Sequence, residues 1–448
     1  MTRCADFRRQ VKDKNGNPKL PSTNPPIEAV KDVLALDPAD WNFPVLESVT
    51  ESPILRPDGT VLSIPGYDAQ CRTIYAPSPD LQVAPIPADP ITDEVTEAVA
   101  LIDEAIGDFP FADASSRANA FAMLLTSIIR RSIDGNAPIA LVDAPQAGTG
   151  KSLLAEVVSL IHTGSDAAMQ PAPARGDETE WRKLLGAVLF NGSSLIVIDN
   201  VDHKLQSASL ALAVTASTWT DRILGQSKTI TLPQKATWII TGNNLQLGGD
   251  LPRRCYWIRL DAASSQPWQR TGFRHPDLKK WIRQRRGDLV SALLTLARAW
   301  FAVGRPDGNA PTLGSFESWC QTVGGILHYA GVDGFLGNLV TLYQESDPSQ
   351  LQWEGFLTAL SSIFDQEGFT ISQLVEVMQT NSELTNARPE EFADCDRKGT
   401  LQRRMGRAFA ARAGRRYGQD GLHLVKAGTT RNKVVLWEVR AASERVQP

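Results

Sequence analysis

The stretch IALVDAPQAGTGKSLLAEVVSLI (139–161) constrains this chain more than any other. It reads as an apolar strand, a loop holding Gly148 and Gly150, and an amphipathic helix that opens at Lys151-Ser152. A loop of this build aims backbone N–H groups and the positive end of the next helix at one point, which suits phosphate. In that layout Gln146, Ala147, Gly148, Thr149, Gly150 and Leu153 line the loop and the helix start. Lys151 reaches the terminal phosphates of ATP, and the Ser152 hydroxyl ligates Mg2+. The G-x-x-x-x-G-K-[ST] pattern is missed at its first position, where Pro145 stands. Proline fixes φ at about −65° and removes a donor, which alters the approach to the loop and leaves the stretch that faces phosphate intact.

Three further apolar runs follow the same rhythm: LIVIDN, TWIITGNN and CYWIRLD. Continuous apolar runs alternating with helices suit strands buried on both faces of a parallel sheet, so an α/β layout is expected. The first run ends in Asp199, 48 residues after Lys151, where a carboxylate would hold the metal. The next residue is Asn200, where a water-polarising glutamate would be usual, so Asp202, or Glu178 or Glu180 in GDETEW, is left as the base, with Asp202 favoured. The second run ends in Asn243-Asn244, and Asn243 can sense the γ-phosphate. Arg253 and Arg254 precede the last run and can complete the phosphate site of a neighbouring subunit, which implies a head-to-tail ring.

Around this core the chain of 448 residues has room for several compact units. Residues 1–90 are rich in proline, with one β signal in ILRPDGTVLSI, where Pro57-Asp58-Gly59 forms the turn. Residues 91–265 hold the nucleotide core with a helical lead-in, 266–345 read as a helical lid, and 346–448 as helix, helix and hairpin. The net charge of −4 conceals an asymmetry: from Arg397 to Arg440 there are twelve Lys/Arg against Asp420 and Glu438. With 42% apolar and 21% charged residues, and no membrane-length apolar run, a soluble cytoplasmic protein is expected. The five cysteines are scattered and read as reduced packing residues, and the five histidines have no metal-ligand spacing.

Taken in order, AGTGKS, the strand with IDN, the TGNN strand end and the RRCYWIRL arginines resemble the ATPase part of phage and plasmid primase-helicase proteins, of the superfamily 3 type within the AAA+ class. The segment PILRPDGTVLSIPGYD looks like the short β segment that precedes the ATPase there. The resemblance implies an AAA+ P-loop core with a helical lid and a C-terminal winged-helix domain, in a ring of about six subunits, with Arg254 aligning best to the arginine finger. It also implies a helicase translocating on single-stranded or forked DNA, serving replication of a mobile genetic element; no primase motif is present, so the family's priming activity lies on a separate primase or polymerase chain or was lost. In such helicases a hairpin in the place of DRILGQSKTITLPQKATW enters the channel, which makes Lys228 the expected translocating contact.

In the C-terminal segment Leu401, Met405, Ala408 and Phe409 share one helical face, with Arg403, Arg404 and Arg407 on the other. The helix can enter a groove while Lys426, Arg431 and Lys433 on the hairpin lie along phosphates. Two other functions fit the same residues: an ATP-switched initiator or loader that binds DNA without unwinding it, and a regulatory ATPase whose winged helix binds protein.

Overall fold

The computed structural model describes residues 7–36, 44–222, 229–346, 348–365, 367–394 and 398–442. The chain starts with two exposed ribbons, in which β1 (Phe7–Arg8), β2 (Val11–Lys12), β3 (Pro18–Lys19) and β4 (Ser22–Thr23) pair as β1–β4 and β2–β3. Helix α1 (Ile27–Ala35) follows and buries none of its residues. Next come β5 (Ser48–Thr50), β6 (Ile54–Leu55), β7 (Val61–Leu62), β8 (Gly66–Asp68) and β9 (Thr73–Tyr75). β6 and β7 form the hairpin expected around Asp58-Gly59, while β5, β9 and β8 form a small sheet. The hairpin is docked: Leu55 is fully buried in the main core, and a Cβ on Gly59 (φ +85°) would lie 2.2 Å from the Phe301 ring. Leu55 and Val61 thus tie the hairpin to the main core, while Ile54, Leu62, Cys71 and Tyr75 form a small cluster of their own.

The core then runs α2 (Thr92–Ile106), α3 (Ala114–Ile129), β10 (Ile139–Ala144), α4 (Lys151–Thr163), β11 (Met169–Pro171), α5 (Glu178–Phe190) and β12 (Leu195–Val201). It continues with α6 (Ala208–Thr215), β13 (Thr218–Arg222), β14 (Thr229–Pro233), β15 (Thr237–Asn243) and β16 (Cys255–Arg259). Five strands form one parallel sheet in the order β11-β12-β15-β10-β16, and all six residues of β10 are buried, as an apolar run without alternation requires. The order matters for the site. β15 lies between the strand that feeds the loop and the strand that carries Asp199, so its end projects between them.

Helix α7 (Leu278–Ala302) was expected in a lid, but it packs along α2, α3 and α4 and contributes Ile282, Leu289, Val290 and Leu293 to the same apolar core. α8 (Glu317–Tyr329) and α9 (Leu339–Ser346) join that core as well, through Trp319, Val323 and Leu342. The physical reason is α3, which is buried on nearly every position and so needs helices on several sides. The amphipathic pattern of 278–302 showed that a face would be buried, not against what.

A second core is built from α10 (Pro348–Phe364), α11 (Ile371–Met378), α12 (Ser382–Asn386), α13 (Lys398–Arg412), β17 (His423–Thr429) and β18 (Val435–Arg440). Trp353 is its centre, within ring-contact range of Phe356, Phe392, Phe409 and Tyr417. β17 and β18 pair antiparallel, and Phe369 bridges to Trp437 of β18. Among the described residues no helix is long and apolar enough to cross a membrane.

Candidate nucleotide site

Loop 145–150 leaves the end of β10 and turns into α4 through Gly148 (φ +79°) and Gly150 (φ +99°), a conformation that side chains other than glycine disfavour. Space enforces the same choice. A Cβ at Gly148 would meet Trp268 at 3.1 Å, and one at Gly150 would meet Phe109 at 3.2 Å. Helices α3, α5, α6 and α7 each carry a side-chain cap, from Asp113, Asp177, Ser207 and Asp277. α4 has none: Gly150 stands at its N-cap, so the N–H donors of its first turn face the loop without a side-chain acceptor. That vacancy of acceptors is the local chemistry of an anion site.

Lys151 is 7% exposed, and burial holds its ammonium below the usual lysine range against the opposing pull of Asp143 and Asp199. Its Nζ donates to Asn243 Oδ1 at 2.7 Å and to the Gln146 carbonyl at 3.2 Å. The β10–β15 register sets Ala144 opposite Asn243, which places that side chain beside the loop. Ser152 Oγ donates to Asp199 Oδ1 at 2.7 Å, and Thr241 Oγ1 donates to the same oxygen at 2.6 Å. The Asn200 N–H in turn donates to Thr241 Oγ1 at 2.9 Å. Here the β12–β15 pairing shifts register between Ile198 and Val201, and Asn200 adopts φ +56°. A bulge at a strand end re-aims a side chain, here the Asp199 carboxylate onto the loop serine. Lys151, Ser152, Asp199 and Asn243, singled out from three separate segments, thus meet at one place, in the paired contacts Lys151–Asn243 and Ser152–Asp199. A hydroxyl and a carboxylate side by side, next to a buried ammonium and an uncapped helix, fit a magnesium–triphosphate group.

The remaining carboxylates behave differently. Asp202 lines a cleft of about 440 Å3 together with Asp199 and Asn200, but its side chain is 88% exposed and hydrogen-bonded to His203 at 3.0 Å. Glu178 accepts from the Ala208 and Ser209 N–H groups and from Ser207 Oγ, so it caps α6. Glu180 pairs with Lys183 on the surface. Arg254 is held within its own chain by Asp250, Thr215 Oγ1 and the Ala211 carbonyl, while the Arg253 side chain is 70% exposed and also pairs with Asp250. The two guanidinium groups hold the Asp250 carboxyl down at about 2.

Lys228 lies outside the described residues, as does the rest of the tip 223–228; the strands that lead to it, β13 and β14, pair over their full length. In the C-terminal module Leu401, Met405, Ala408 and Phe409 are buried, and Arg403, Arg404 and Arg407 are exposed on the opposite face of α13. Lys426, Arg431 and Lys433 are exposed on the hairpin. Cys71, Cys255 and Cys320 are free and buried. Among the described residues no cluster of His, Cys, Asp or Glu could hold a metal by itself.

Three contributors escaped the sequence reading. Asp143 on β10 is 1% exposed, accepts from the Leu245 N–H at 3.0 Å and pairs with Arg259 at 3.3 Å, which ties the turn after Asn243 to the sheet. Burial pushes its carboxyl up, opposed by those two contacts. Thr241 was hidden inside an apolar run, though its spacing two residues before Asn243 puts both on one face of the strand. Trp268, 63% exposed, stands against the loop at Gly148, and no motif marks it.

No protein-family model matches the chain, and no curated protein matches it. Among solved structures it is similar to the C-terminal region of NrS-1, at 13% identity and a TM-score of 0.37 over 74% of this chain and 67% of that one. It is similar to the SCCmec type IV Cch active helicase at 13% identity and a TM-score of 0.33, over 97% of this chain and 90% of that one. A JCV helicase structure matches at 12% identity and a TM-score of 0.24, over 66% and 74% of the two chains.

Proposed function

We propose that the chain is a Mg2+-dependent ATPase that works as a ring-forming helicase on single-stranded DNA. One observation carries the ATPase reading: the Lys151–Asn243 and Ser152–Asp199–Thr241 contacts join three neighbouring strand ends at an uncapped helix N-terminus. In this reading the loop and α4 bind the β- and γ-phosphates, Lys151 compensates their charge, and Asn243 orients the attacking water. Magnesium, held by Ser152 and Asp199, would neutralise charge that develops on the transferring phosphoryl group. Asp202 is the nearest acid beyond Asp199 along the strand and serves as the base after reorienting from His203.

Work on DNA is supported by position and charge. The hairpin β13–β14 leaves the core between β12 and β15, so whatever it grips is coupled to Asp199 and Asn243 through adjacent strands. In this reading the exposed arginines of α13 and the basic hairpin of the second core serve as a winged helix, the helix in a groove and the hairpin along its flanking phosphates. Each phosphate neutralised adds about 0.9 to the salt slope of binding to duplex DNA, so Arg407→Ala is expected to lower that slope by roughly one unit. The Arg253–Arg254 pair is the candidate trans contact of a ring, with Arg254 following the family resemblance and Arg253 the more exposed of the two.

The test is ATP-dependent strand separation on forked duplexes of both tail polarities, comparing the wild type with Lys151→Ala, Arg253→Ala and Arg254→Ala. Unwinding lost in Lys151→Ala and in one arginine variant that still binds ATP supports a motor firing between subunits. MgATP and DNA binding without unwinding on either fork favours an ATP-switched initiator instead. That second reading is supported by Asn200 in place of an acid and by the 88% exposure of Asp202.

A further inference from the structure

At the opposite end of the sheet lies a cavity of about 590 Å3, enclosed by the β5–β6 segment, the C-terminal ends of α3, α4 and α5, and the turn that leads into β15. Helix α4 connects the two places: its first turn faces the phosphate loop, and its last turn brings His162 to the cavity wall. Thirteen residues of helix put roughly 20 Å between them, so this is not an extension of the nucleotide site.

The charges in this cavity do not balance. Arg130, Arg131 and Lys235 line it, from the end of α3 and the base of the β13–β14 hairpin. Arg130 is 4% exposed, and its Nη2 donates to the Gly135 carbonyl at 2.9 Å, while its Nε and Nη1 are buried with no hydrogen-bond acceptor among the described residues. Two carboxylates also line the space. Glu47 is shared between Arg131 at 3.5 Å and Arg72 at 3.2 Å, and Glu51 is exposed at the rim. His162 Nε2 meets Ser194 Oγ at 2.8 Å, whereas its Nδ1 is buried without a partner. Burial pushes the Arg130 guanidinium down to about 10, reinforced by Arg131. Burial lowers Lys235 too, and both arginines add to the effect. Three cations in one cavity, one of them with two unanswered donors, make a site that a compact anion would complete.

We propose that this cavity binds a small phosphate-bearing molecule, with Arg130, Arg131 and Lys235 as its charge partners and Ser194 and His162 as neutral hydrogen-bonding groups. Arg130 Nε and Nη1 are two charge-bearing donors without an acceptor, each able to take an oxygen of an anion. The volume exceeds what inorganic phosphate needs and suits a phosphomonoester or diphosphate with an organic part, in the size range of small-molecule pockets. Occupancy would tie together the end of α3, the β5–β6 segment and the hairpin base.

The test uses the full chain carrying Lys151→Ala, which weakens phosphate binding at the loop, titrated with pyrophosphate by calorimetry. Saturable binding is expected, weakened at least about tenfold by Lys235→Met or Arg131→Met and lost in Arg130→Met. Should Arg130→Met not fold, the first two variants decide, and Lys183→Met on the distant surface of α5 should bind as the parent does. Ranking inorganic phosphate, a nucleoside monophosphate and a sugar phosphate then identifies the source of the phosphate. The proposal is overturned by the absence of saturable binding or by equal affinity in Lys235→Met. It is also overturned if Lys235→Met weakens single-stranded DNA binding while no small phosphate binds, since the cavity would then be a backbone contact.

Discussion

The two ends of the central sheet handle buried charge in opposite ways. Where the strands end, Lys151, Ser152, Thr241, Asp199 and Asn243 satisfy one another, so the site holds its shape through side chains that also suit a ligand. Where the strands begin, Arg130 and His162 keep unanswered polar atoms, and Glu47, a carboxylate of the same cavity wall, is already shared by two other arginines. The difference separates two kinds of preorganisation. A closed network fixes geometry at little cost in stability, while an open cationic cavity retains an unfavourable term that only a ligand removes.

The sharpest way to break this contrast is at the closed end. Lys151→Ala should cut steady-state phosphate release by about 10^2–10^3-fold, the loss typical of removing one preorganised charge partner from a transition state. Because Asn243 can turn to water, the thermal midpoint should move little. Activity retained in the variant would mean that Lys151 is a structural cation and that the network is not a nucleotide site.

Next in size is Asp143. Asp143→Ala leaves the Leu245 N–H without its acceptor and takes one carboxylate from Arg259, which keeps Glu345 at 3.1 Å. A loss of roughly 1–3 kcal/mol in chemical denaturation is expected. Thr241→Val keeps the shape of the side chain while removing the donor to Asp199 and the acceptor for the Asn200 N–H. Its cost should be about 1–2 kcal/mol, with an ATPase defect smaller than that of Lys151→Ala. A larger defect would place Thr241 in contact with the reacting groups and not behind them.

The contrast also explains what could be read from the chain. Loop residues 146–152 are contiguous, and a strand–loop–helix with glycines at fixed places has few other uses, so they were legible at once. Asp199 and Asn243 were legible because each ends an apolar run. Asp143 and Thr241 were not, since one polar residue inside such a run looks the same whether its partner is water, backbone or another side chain. Arg130-Arg131 close a helix, where cations are ordinary, and Lys235 follows a hairpin; nothing in their spacing of over a hundred residues brings them together. Trp268 and the core position of α7 were hidden for a related reason: periodicity gives a face and not its neighbour.

The remaining effect lies at the open end and is a matter of pH. Burial, reinforced by Arg286, holds His162 down to about 4, whereas in the unfolded chain it titrates near 6.5. The unfolded state therefore takes up the proton first, so the contribution is complete above pH 6.5 and is lost as pH falls towards 4. His162→Gln, which stays neutral and can still meet Ser194, should flatten the stability profile across that window and leave it unchanged above pH 7. Denaturation midpoints of both proteins, taken at steps from pH 7.5 to 4.5, measure this directly. Equal slopes would mean that the imidazole is hydrated through the cavity and that the open end is wetter than its unpartnered atoms imply. A slope in the parent that disappears on adding pyrophosphate would locate the anion beside His162, since a phosphate group there offsets the cost of the imidazolium.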